Sequence, residues 1–286
     1  MILIIPMPPG GTHDLTARAV TSVASDYLGQ PMLIKLMPGG GGAIGTDFVT
    51  KAKPDGYTLL MTGPGWNSQL PAFEGRSRGP EYFEPICRIN YNAQFMVANP
   101  SMPFKTYKEM MSWIKANPGK LIVGVGGQWA WDAIFWKQLI RQTGISVKLV
   151  PFDGGGPQLL ALLGGHTNVG GAAPSMFMPY KNTGKLIPLV YLDKERYREL
   201  PDVPTSVEEG FNLFGQMWRG VAAPKGTPRP IIDQLSLAFK KMTEDKSVVT
   251  MINKLGDDIQ FFGPDDFAKY WQDEYESYKD LAKAMK

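Results

Sequence analysis

Short apolar runs alternate with glycine-containing turns and amphipathic stretches along most of the chain. The first run, residues 2–5, is unbroken, as expected of a strand buried on both faces of a parallel sheet. Pro6 stops this strand, and Gly10 and Gly11 let the backbone turn. Thr12 is the expected N-cap of a helix in which apolar residues recur at helical spacing as far as residue 27. Such a strand, turn and helix start aims free backbone N–H groups at one place, which suits an anion.

The same succession repeats down the chain and predicts a parallel α/β sheet. Strands are expected at 32–36, 57–61, 83–89, 94–98, 121–125, 147–151, 168–172, 185–192 and 219–223. Helices are expected at 46–52, 106–117, 131–142, 158–163 and 230–242, and from 265 onward. Two successive series of these units indicate two similar lobes, with a boundary near 99–103. In such sheets ligands bind at the carboxyl ends of the strands.

Five glycine turns, at positions 10, 39, 63, 126 and 154, each follow an apolar strand. Turns of this kind hold anions through backbone N–H donors and need no dedicated arginine or lysine. Trp66, Trp129 and Trp131 lie within the turns, where a large ring has no structural necessity. Backbone amides that bind a carboxylate, with tryptophan side chains on either side, are typical of a concave binding site.

Composition narrows the classes of function. The chain has 286 residues, is 43% hydrophobic and 20% charged, and carries a net charge of +3, which is normal for a globular protein with a real core. It has no run of lysine and arginine, which argues against a nucleic acid partner. No apolar stretch is long enough to span a membrane. The single cysteine, Cys87, excludes an internal disulfide and is expected to be a buried thiol.

The sequence lacks the complete motifs that are required for nucleotide binding, metal binding or catalysis. Residues 40–45 fit the pattern G-x-G-x-x-G, but the following strand ends at Met61, Thr62 and Gly63, where a ribose-binding acid is required. His13 and His166 are too few and too isolated for a metal site. No G-x-S-x-G or H-E-x-x-H motif is present. We therefore expect no cofactor, no metal and no enzymatic activity.

Three polar residues in the turns have two interpretations each. His13, in the first glycine turn, either contacts a ligand or, as we expect, points to solvent beside the helix start. Asp14 and Asp132 stand in the first turns of two helices, where an acid stabilises the positive end of the helix dipole. Asp132, beside Trp129 and Trp131, has the better claim to a ligand contact.

Several long motifs in order resemble one family over essentially the whole chain. Among the most specific are IIPMPPGGTHDLTAR at 4–18, PGGGGAIGTDFVTKAKPDGYTLLM at 38–61 and LPDVPTSVEEGF at 200–211. These segments resemble the solute receptors of tripartite tricarboxylate transporters, also called Bug-type receptors. The resemblance implies a two-lobed periplasmic-binding-protein fold of type II, each lobe a mixed sheet flanked by helices. Lobe one would comprise 1–98 plus 220–286 and lobe two 99–219, with the ligand cleft between them.

The resemblance also implies where a ligand binds. Family ligands are mostly carboxylates, and amides of the first two turns (Gly10, Gly11, Thr12, Gly42 and Ala43) would hold one carboxylate. The second lobe would read the distal end through turns at 126–132, 152–156 and 172–176. The full set of expected ligand-binding residues is Gly10, Gly11, Thr12, His13, Asp14, Gly42, Ala43, Gly63, Trp66, Asn67, Gly127, Gln128, Trp129, Trp131, Asp132, Phe152, Gly154, Gly155, Ala172, Ala173, Pro174 and Met176.

The sequence departs from the family pattern in two of these loops. Gly63, Trp66 and Asn67 replace a polar pair that the third loop often carries, and 128–131 reads Gln-Trp-Ala-Trp where small residues are usual. These changes favour a flatter or more apolar acid, such as an aromatic carboxylate or a medium-chain dicarboxylate, over citrate.

The expected partners are a small carboxylate and the subunits of a membrane permease. We expect a periplasmic monomer whose signal peptide has been removed, because the chain begins inside a strand. The alternatives are a ligand-sensing module that docks a signalling partner, and an enzyme acting on an acidic metabolite.

Overall fold

The computed structural model describes residues 1–211 and 216–285. The strands are β1 (Ile2–Ile5), β2 (Leu33–Leu36), β3 (Thr58–Thr62), β4 (Phe83–Ala93), β5 (Phe95–Ala98), β6 (Ile122–Val125), β7 (Lys148–Pro151), β8 (Val169–Ala172), β9 (Ile187–Tyr191), β10 (Gln216–Pro224) and β11 (Asp258–Phe262). The helices are α1 (Thr12–Thr21), α2 (Ala24–Leu28), α3 (Ala43–Thr50), α4 (Leu70–Glu74), α5 (Tyr107–Ala116), α6 (Trp131–Thr143), α7 (Gly155–Leu163), α8 (Pro174–Phe177), α9 (Arg229–Glu244), α10 (Lys246–Lys254) and α11 (Pro264–Met285). In the described part of the chain, none of the helices is both long enough and apolar enough to cross a membrane.

The first sheet has six strands in the order β11-β4-β10-β3-β1-β2. Its parallel part is β3-β1-β2, in which Ile2 is in register with Leu33 on one side and with Thr58 on the other. β10 pairs antiparallel with β3 and makes the sheet mixed. The parallel strands run in the same direction, so the turns that follow β1, β2 and β3 lie at one edge of this sheet.

The second sheet has five strands in the order β7-β6-β8-β5-β9. Its parallel part is β7-β6-β8, and β5 pairs antiparallel with β8. The four strands β7-β6-β8-β5 therefore have the same arrangement as β2-β1-β3-β10. In each set, a central strand has two parallel neighbours, and an antiparallel strand follows. This common plan confirms the expectation that each half of the chain holds a mixed sheet flanked by helices.

The chain divides into two compact units. Unit 1 is Met1–Tyr91 with Trp218–Lys286, and unit 2 is Asn92–Met217, a range that includes the four residues 212–215 outside the described part. The sequence placed the first boundary after residue 98. The structure places it before Asn92 because β5 hydrogen-bonds to β8 and β9 in the sheet of unit 2.

Each unit has its own buried apolar core. In unit 1 the strands β1 and β3 pack against α1, α9 and α10, and the buried thiol of Cys87 lies among them, as expected. Burial raises the pKa of this thiol. On the opposite face of the same sheet, Phe267 and Trp271 of α11 are fully buried, which confirms the core packing expected of that aromatic helix. In unit 2 the core forms between α5, α6 and the strands β6 and β8.

Two local expectations were wrong, and some short elements were not predicted. The expected helix over 12–27 is two helices, because the backbone leaves helical geometry at Val23. Its N-cap is Gly11 rather than Thr12, which is already the first helical residue. The strand β11 and the helices α4, α8 and α10 were not predicted; β11 is half-buried, with no clear alternation of polar and apolar residues. Thr106, in contrast, caps α5 in a capping box with Glu109.

Candidate functional site

In unit 1, the turns that follow β2 and β3 pack closely against one tryptophan. A Cβ atom built on Gly42 would lie 2.7 Å from the Cβ of Trp66, and one built on Gly63 would lie 3.0 Å from its ring. The Gly63 position would also lie 2.5 Å from Nε2 of His13, in the turn after β1. Glycine is therefore required at both places, and the three strand ends meet around Trp66, as the parallel topology predicts.

His13 and Trp66 form the buried base of these turns. The two rings contact each other edge to face with centroids 4.5 Å apart, and only 5% of His13 and 3% of Trp66 are exposed. Burial, together with the nearby charge of Arg219, lowers the pKa of His13 well below its ordinary value, although a hydrogen bond to the backbone of Trp218 works in the opposite direction. His13 is therefore neutral at physiological pH. The expectation that it points to solvent was wrong, because the first turn of α1 packs onto the end of β3.

Asp14 is bonded within its own turn. One carboxylate oxygen accepts the N–H of Gly10 at 2.8 Å, and the other lies 2.9 Å from Nε of Arg18, one helical turn further on. Asp14 is buried, and its hydrogen bond ties the strand end to the helix start. The Gly10 N–H, which we expected to hold a carboxylate, is thus already used by Asp14.

In the turn after β2, the N–H groups that we expected to bind the ligand also donate hydrogen bonds within the protein. The N–H of Gly42 donates to the Gly39 carbonyl at 3.0 Å, and the N–H of Ala43 donates to the Gly40 carbonyl. The exposed residues that begin this 3-10 turn are Gly40 and Gly41, and the first amides of such a turn have no partner within it. The donors that this turn offers to solvent therefore lie two residues earlier than the sequence indicated.

The first turn retains amides that face outward. Gly11, the N-cap of α1, is exposed, and Thr12 is half-buried. The N–H groups at the start of an α-helix have no partner one turn earlier, so the N–H of the half-buried Thr12 is available to an external acceptor. The helix dipole adds partial positive charge at the same point.

Asn67 has a structural position. It is fully buried in a π-helical turn, Gly65–Gln69, and its Nδ2 donates to the Arg78 carbonyl at 2.9 Å. Its own carbonyl accepts the indole N–H of Trp271 at 3.4 Å. These bonds fix the turn after β3 to the loop that contains Arg78 and to α11.

In unit 2, Asp132 organises the turn after β6. Its two carboxylate oxygens lie 3.2 and 3.0 Å from the amide nitrogen of Gly126, and Oδ1 also accepts the N–H of Ala133 at 2.9 Å. Oδ2 accepts a hydrogen bond from Nε2 of Gln158 at 2.8 Å, and the same Nε2 donates to the Gly124 carbonyl at 2.9 Å. Burial raises the pKa of Asp132 to about 6, although these hydrogen bonds oppose the shift.

Both units therefore contain the same hydrogen-bonded arrangement at the start of a helix. In each, a buried aspartate in the first turn of a helix accepts the N–H of a glycine in the turn that follows the central parallel strand, Gly10 for Asp14 and Gly126 for Asp132. The carboxylate stabilises the turn and occupies the backbone N–H of that glycine. The sequence interpretation of these acids as helix-start residues anticipated their place but not this hydrogen bond.

The two tryptophans of the turn after β6 lie in different surroundings. Trp131 packs over Gly171 of β8, where a Cβ atom would overlap the indole. Trp129 is half-buried under Nζ of Lys137, which lies 3.3 Å from the ring centroid and donates to the Gln128 carbonyl at 3.0 Å. The side chain of Gln128 is exposed.

The remaining turns of unit 2 adjoin this one. The N–H of Gly154 donates to the Gly126 carbonyl at 3.1 Å, and a Cβ on Gly155 would lie 3.2 Å from Cε of Met176. Phe152 lies against Gly124. Ala172 ends β8, and the buried Ala173 and Pro174 begin α8. The turn residue Gly127 accepts the N–H of Ala130. The structure thus brings the three turns of unit 2 together.

No group of three or more potential metal ligands is found among residues 1–211 and 216–285. The turns instead combine backbone amides, glycines and buried aromatic rings, an arrangement that suits recognition of an anion.

Comparison with known proteins identifies the architecture. Residues 16–286 match the family described as the tripartite tricarboxylate transporter family receptor. The chain belongs to this receptor family. It is 28% identical to protein BugT of Bordetella pertussis over 98% of this chain and 87% of BugT.

Solved structures show the same fold for this receptor. A periplasmic transporter with 31% identity superposes with a TM-score of 0.90, covering 99% of this chain and 96% of the other. MatC from Rhodopseudomonas palustris, solved with bound malate, has 28% identity and a TM-score of 0.88, with 99% and 98% coverage. The type II periplasmic-binding-protein fold expected from the sequence is thereby confirmed.

Sequence reasoning missed several residues that shape the receptor's turns. Gln158 was not singled out, although a polar residue in the first turn of a helix after a glycine turn is a usable signal. Arg219 is fully buried, lies near His13, and pairs with Asp257 at 3.2 Å. The sequence signal that could have identified Arg219 is its position as the one charged residue in the otherwise largely apolar strand β10.

Proposed function

We propose that this receptor binds a small carboxylate at the glycine turns and delivers it to a membrane permease. The ligand is bound in the periplasm by a monomer, without a cofactor and without chemical conversion. One carboxylate is held by the turns of unit 1, and the turns of unit 2 contribute selectivity.

The observation that carries the proposal is the start of α1. Asp14 takes the Gly10 amide, and the exposed Gly11 and the half-buried Thr12 follow at the N-terminus of the helix. Since His13 is neutral, the positive potential here comes from the backbone dipoles of α1 and from the charge of Arg219, which is buried near His13. The exposed amides of Gly40 and Gly41 at the neighbouring turn offer a second set of donors.

The class of ligand follows from the relatives and from unit 2. MatC was solved with bound malate, a dicarboxylate, which supports a carboxylate for the present receptor. The turn after β6 carries Trp129, which is half-buried, and Trp131. Aromatic surface favours a flat or partly apolar acid, so we propose an aromatic carboxylate or a medium-chain dicarboxylate.

Delivery to a permease fits the family, whose members are receptors of a tripartite transporter. A ligand that binds one conformation of a receptor more tightly shifts the population toward that conformation, which the permease then recognises. The solved relative with 31% identity is a periplasmic transporter, which supports the periplasmic location.

Titration of the intrinsic tryptophan fluorescence tests the ligand class. Malate, adipate, terephthalate, glutamate and citrate are added in turn to the purified receptor. We expect adipate or terephthalate to bind most tightly and citrate more weakly. Tightest binding of citrate would overturn the assignment of an apolar acid, and no binding of any carboxylate would overturn the proposed function.

A further inference from the structure

The edge strand β2 exposes apolar side chains beside the helix α3. β2 ends the six-stranded sheet and pairs with β1, so its outer edge keeps backbone groups that a further strand can use. Leu33 is 62% exposed, and its register partner Ile2 on β1 is 38% exposed. Apolar residues on an open sheet edge are a common feature of a protein-binding surface.

The same face continues onto α3 and into the start of β3. Nζ of Lys35 lies 5.2 Å from the ring centroid of Phe48, so the exposed side of β2 faces α3. Phe48 and Tyr57 are both exposed, and the Tyr57 carbonyl accepts the N–H of Ile2. Leu33, Phe48 and Tyr57 therefore belong to one surface, which we call the β2–α3 face.

A recess of about 420 Å³ opens in this face between the end of α3 and the start of β3. Its lining residues are Phe48, Lys51, Ala52, Lys53, Asp55, Tyr57 and Thr58. It lies before the amino end of β3, whereas the glycine turn at Gly63 follows the carboxyl end of that strand. An occupant of the recess therefore leaves the glycine turns free.

The charge of the β2–α3 face is positive. Among the ion pairs of the described residues, none includes Lys35, Lys51 or Lys53. Asp55 is the acid in the recess, and its carboxylate accepts the N–H of Tyr57 at 3.0 Å. Three lysines without an acidic partner around an apolar floor are complementary to an acidic segment that also carries apolar side chains.

We infer that the β2–α3 face docks an extended acidic segment of a partner protein, with alternate apolar side chains against Leu33 and Phe48. A strand that adds to β2 uses its free backbone groups and places every second side chain toward the face. A lipid surface does not use the backbone groups of the edge strand β2. A second copy of this chain, related by a twofold axis, would bring the lysines toward each other. Resting on the proposed function, the inference takes the membrane permease as the source of the segment.

The first test separates docking from ligand binding in the complete transporter. The double variant K51E/K53E is compared with wild type and with K108E/K115E, which reverses two exposed lysines of α5 in unit 2. Reconstituted vesicles carry the permease of the same transporter. We expect K51E/K53E to lower ligand uptake at least tenfold while its Kd for the ligand stays within twofold, and K108E/K115E to change neither. Full uptake by K51E/K53E would overturn the inference.

The second test needs no permease and keeps the two proposals distinguishable. An eight-residue peptide of alternating Glu and Val is titrated against the isotope-labelled full chain, beside a peptide of alternating Lys and Val. We expect NMR shifts at 33–36 and 48–58 with the acidic peptide alone, and at least tenfold weaker binding to K51E/K53E. If wild type supports no uptake, permease delivery fails, and this peptide result decides the docking site by itself.

Two further measurements identify a different occupant. Sedimentation with phosphatidylglycerol vesicles that is lost in K51E/K53E would assign the face to lipid. A dimer of the wild type that dissociates in K51E/K53E would assign it to a second copy. Either result, without binding of the acidic peptide, overturns the inference.

Discussion

Both carboxylate oxygens of Asp132 lie within 3.2 Å of the amide nitrogen of Gly126, six residues earlier in the chain. The aspartate also accepts a hydrogen bond from Nε2 of Gln158, which in turn reaches the Gly124 carbonyl. One buried acid thus joins the end of β6, the start of α6 and the start of α7. This relationship makes Asp132 a residue that shapes the turn, where sequence reasoning had weighed it as a ligand contact.

Asp132→Ala is expected to destabilise the protein by about 2–3 kcal/mol, because it leaves the buried donors of Gly126, Ala133 and Gln158 without their acceptor. Urea denaturation followed by circular dichroism measures the change. The control is Asp153→Ala, which removes an exposed acid in the neighbouring turn and should alter stability by less than about 0.5 kcal/mol. Equal stability of the two variants would contradict the role given to Asp132.

Gly63→Ala tests the close approach of the turns in unit 1. The new methyl group would lie 2.5 Å from Nε2 of His13 and 3.0 Å from the ring of Trp66, so we expect a loss of about 1–3 kcal/mol from overpacking. Gly65→Ala is the matched control two residues away, since its methyl group meets nothing within 4 Å. Thermal denaturation of both variants gives the comparison. A similar Tm for the two would show that the turn is loose.

The parallel parts of both sheets were predictable because their strands are short apolar runs bounded by glycine or proline. The positions of the glycine turns followed from the same punctuation. The sequence does not show whether the backbone N–H of each turn residue points to solvent or donates within the protein. Gly42 and Ala43 stand where a donor is expected, yet a 3-10 turn consumes both N–H groups. β11 was missed because its half-buried residues do not alternate between polar and apolar.

Burial of His13 could not be inferred from sequence for a similar reason. A histidine beside a glycine turn is ordinarily exposed, and its burial depends on Trp66 and Gly63, which reach it from the end of another strand. The long-range pair of Arg219 and Asp257 is likewise set by tertiary packing. Local pattern therefore locates the candidate site, and tertiary contacts decide which of its groups remain available.

Glu274 of α11 gives the protein a pH-dependent stability. Its carboxylate accepts the indole N–H of Trp218 at 2.9 Å, and burial raises its pKa to about 7, from an ordinary value of 4.5. The folded state therefore holds this proton more tightly than the unfolded state. The resulting stabilisation is complete below about pH 4.5 and is lost as the pH rises through 7.

Glu274→Gln should remove this dependence, because glutamine keeps an acceptor for Trp218 and carries no charge. Relative to wild type, we expect the variant to gain about 3 kcal/mol at pH 8 and to differ little at pH 4. Urea denaturation between pH 4 and 8 measures the difference. Glu276→Gln, at an exposed position of the same helix, serves as the control. An unchanged slope between pH 6 and 8 in Glu274→Gln would contradict the account.

Gly11→Val tests most directly whether backbone amides at the start of α1 hold the carboxylate. Gly11 has an ordinary extended conformation, with φ at −76°, and a Cβ there meets only the Pro8 carbonyl oxygen at 3.9 Å. The variant should therefore fold, with a Tm lowered only by the weaker N-cap preference of valine, while its side chain blocks the approach of an anion.

Isothermal titration of wild type and Gly11→Val with the carboxylate that binds wild type most tightly is the deciding measurement. We predict that the variant loses at least about 1 kcal/mol of binding free energy, or about fivefold in Kd, which corresponds to one hydrogen bond to a charged group. Unchanged affinity in a fully folded Gly11→Val protein would contradict the role assigned to the first glycine turn.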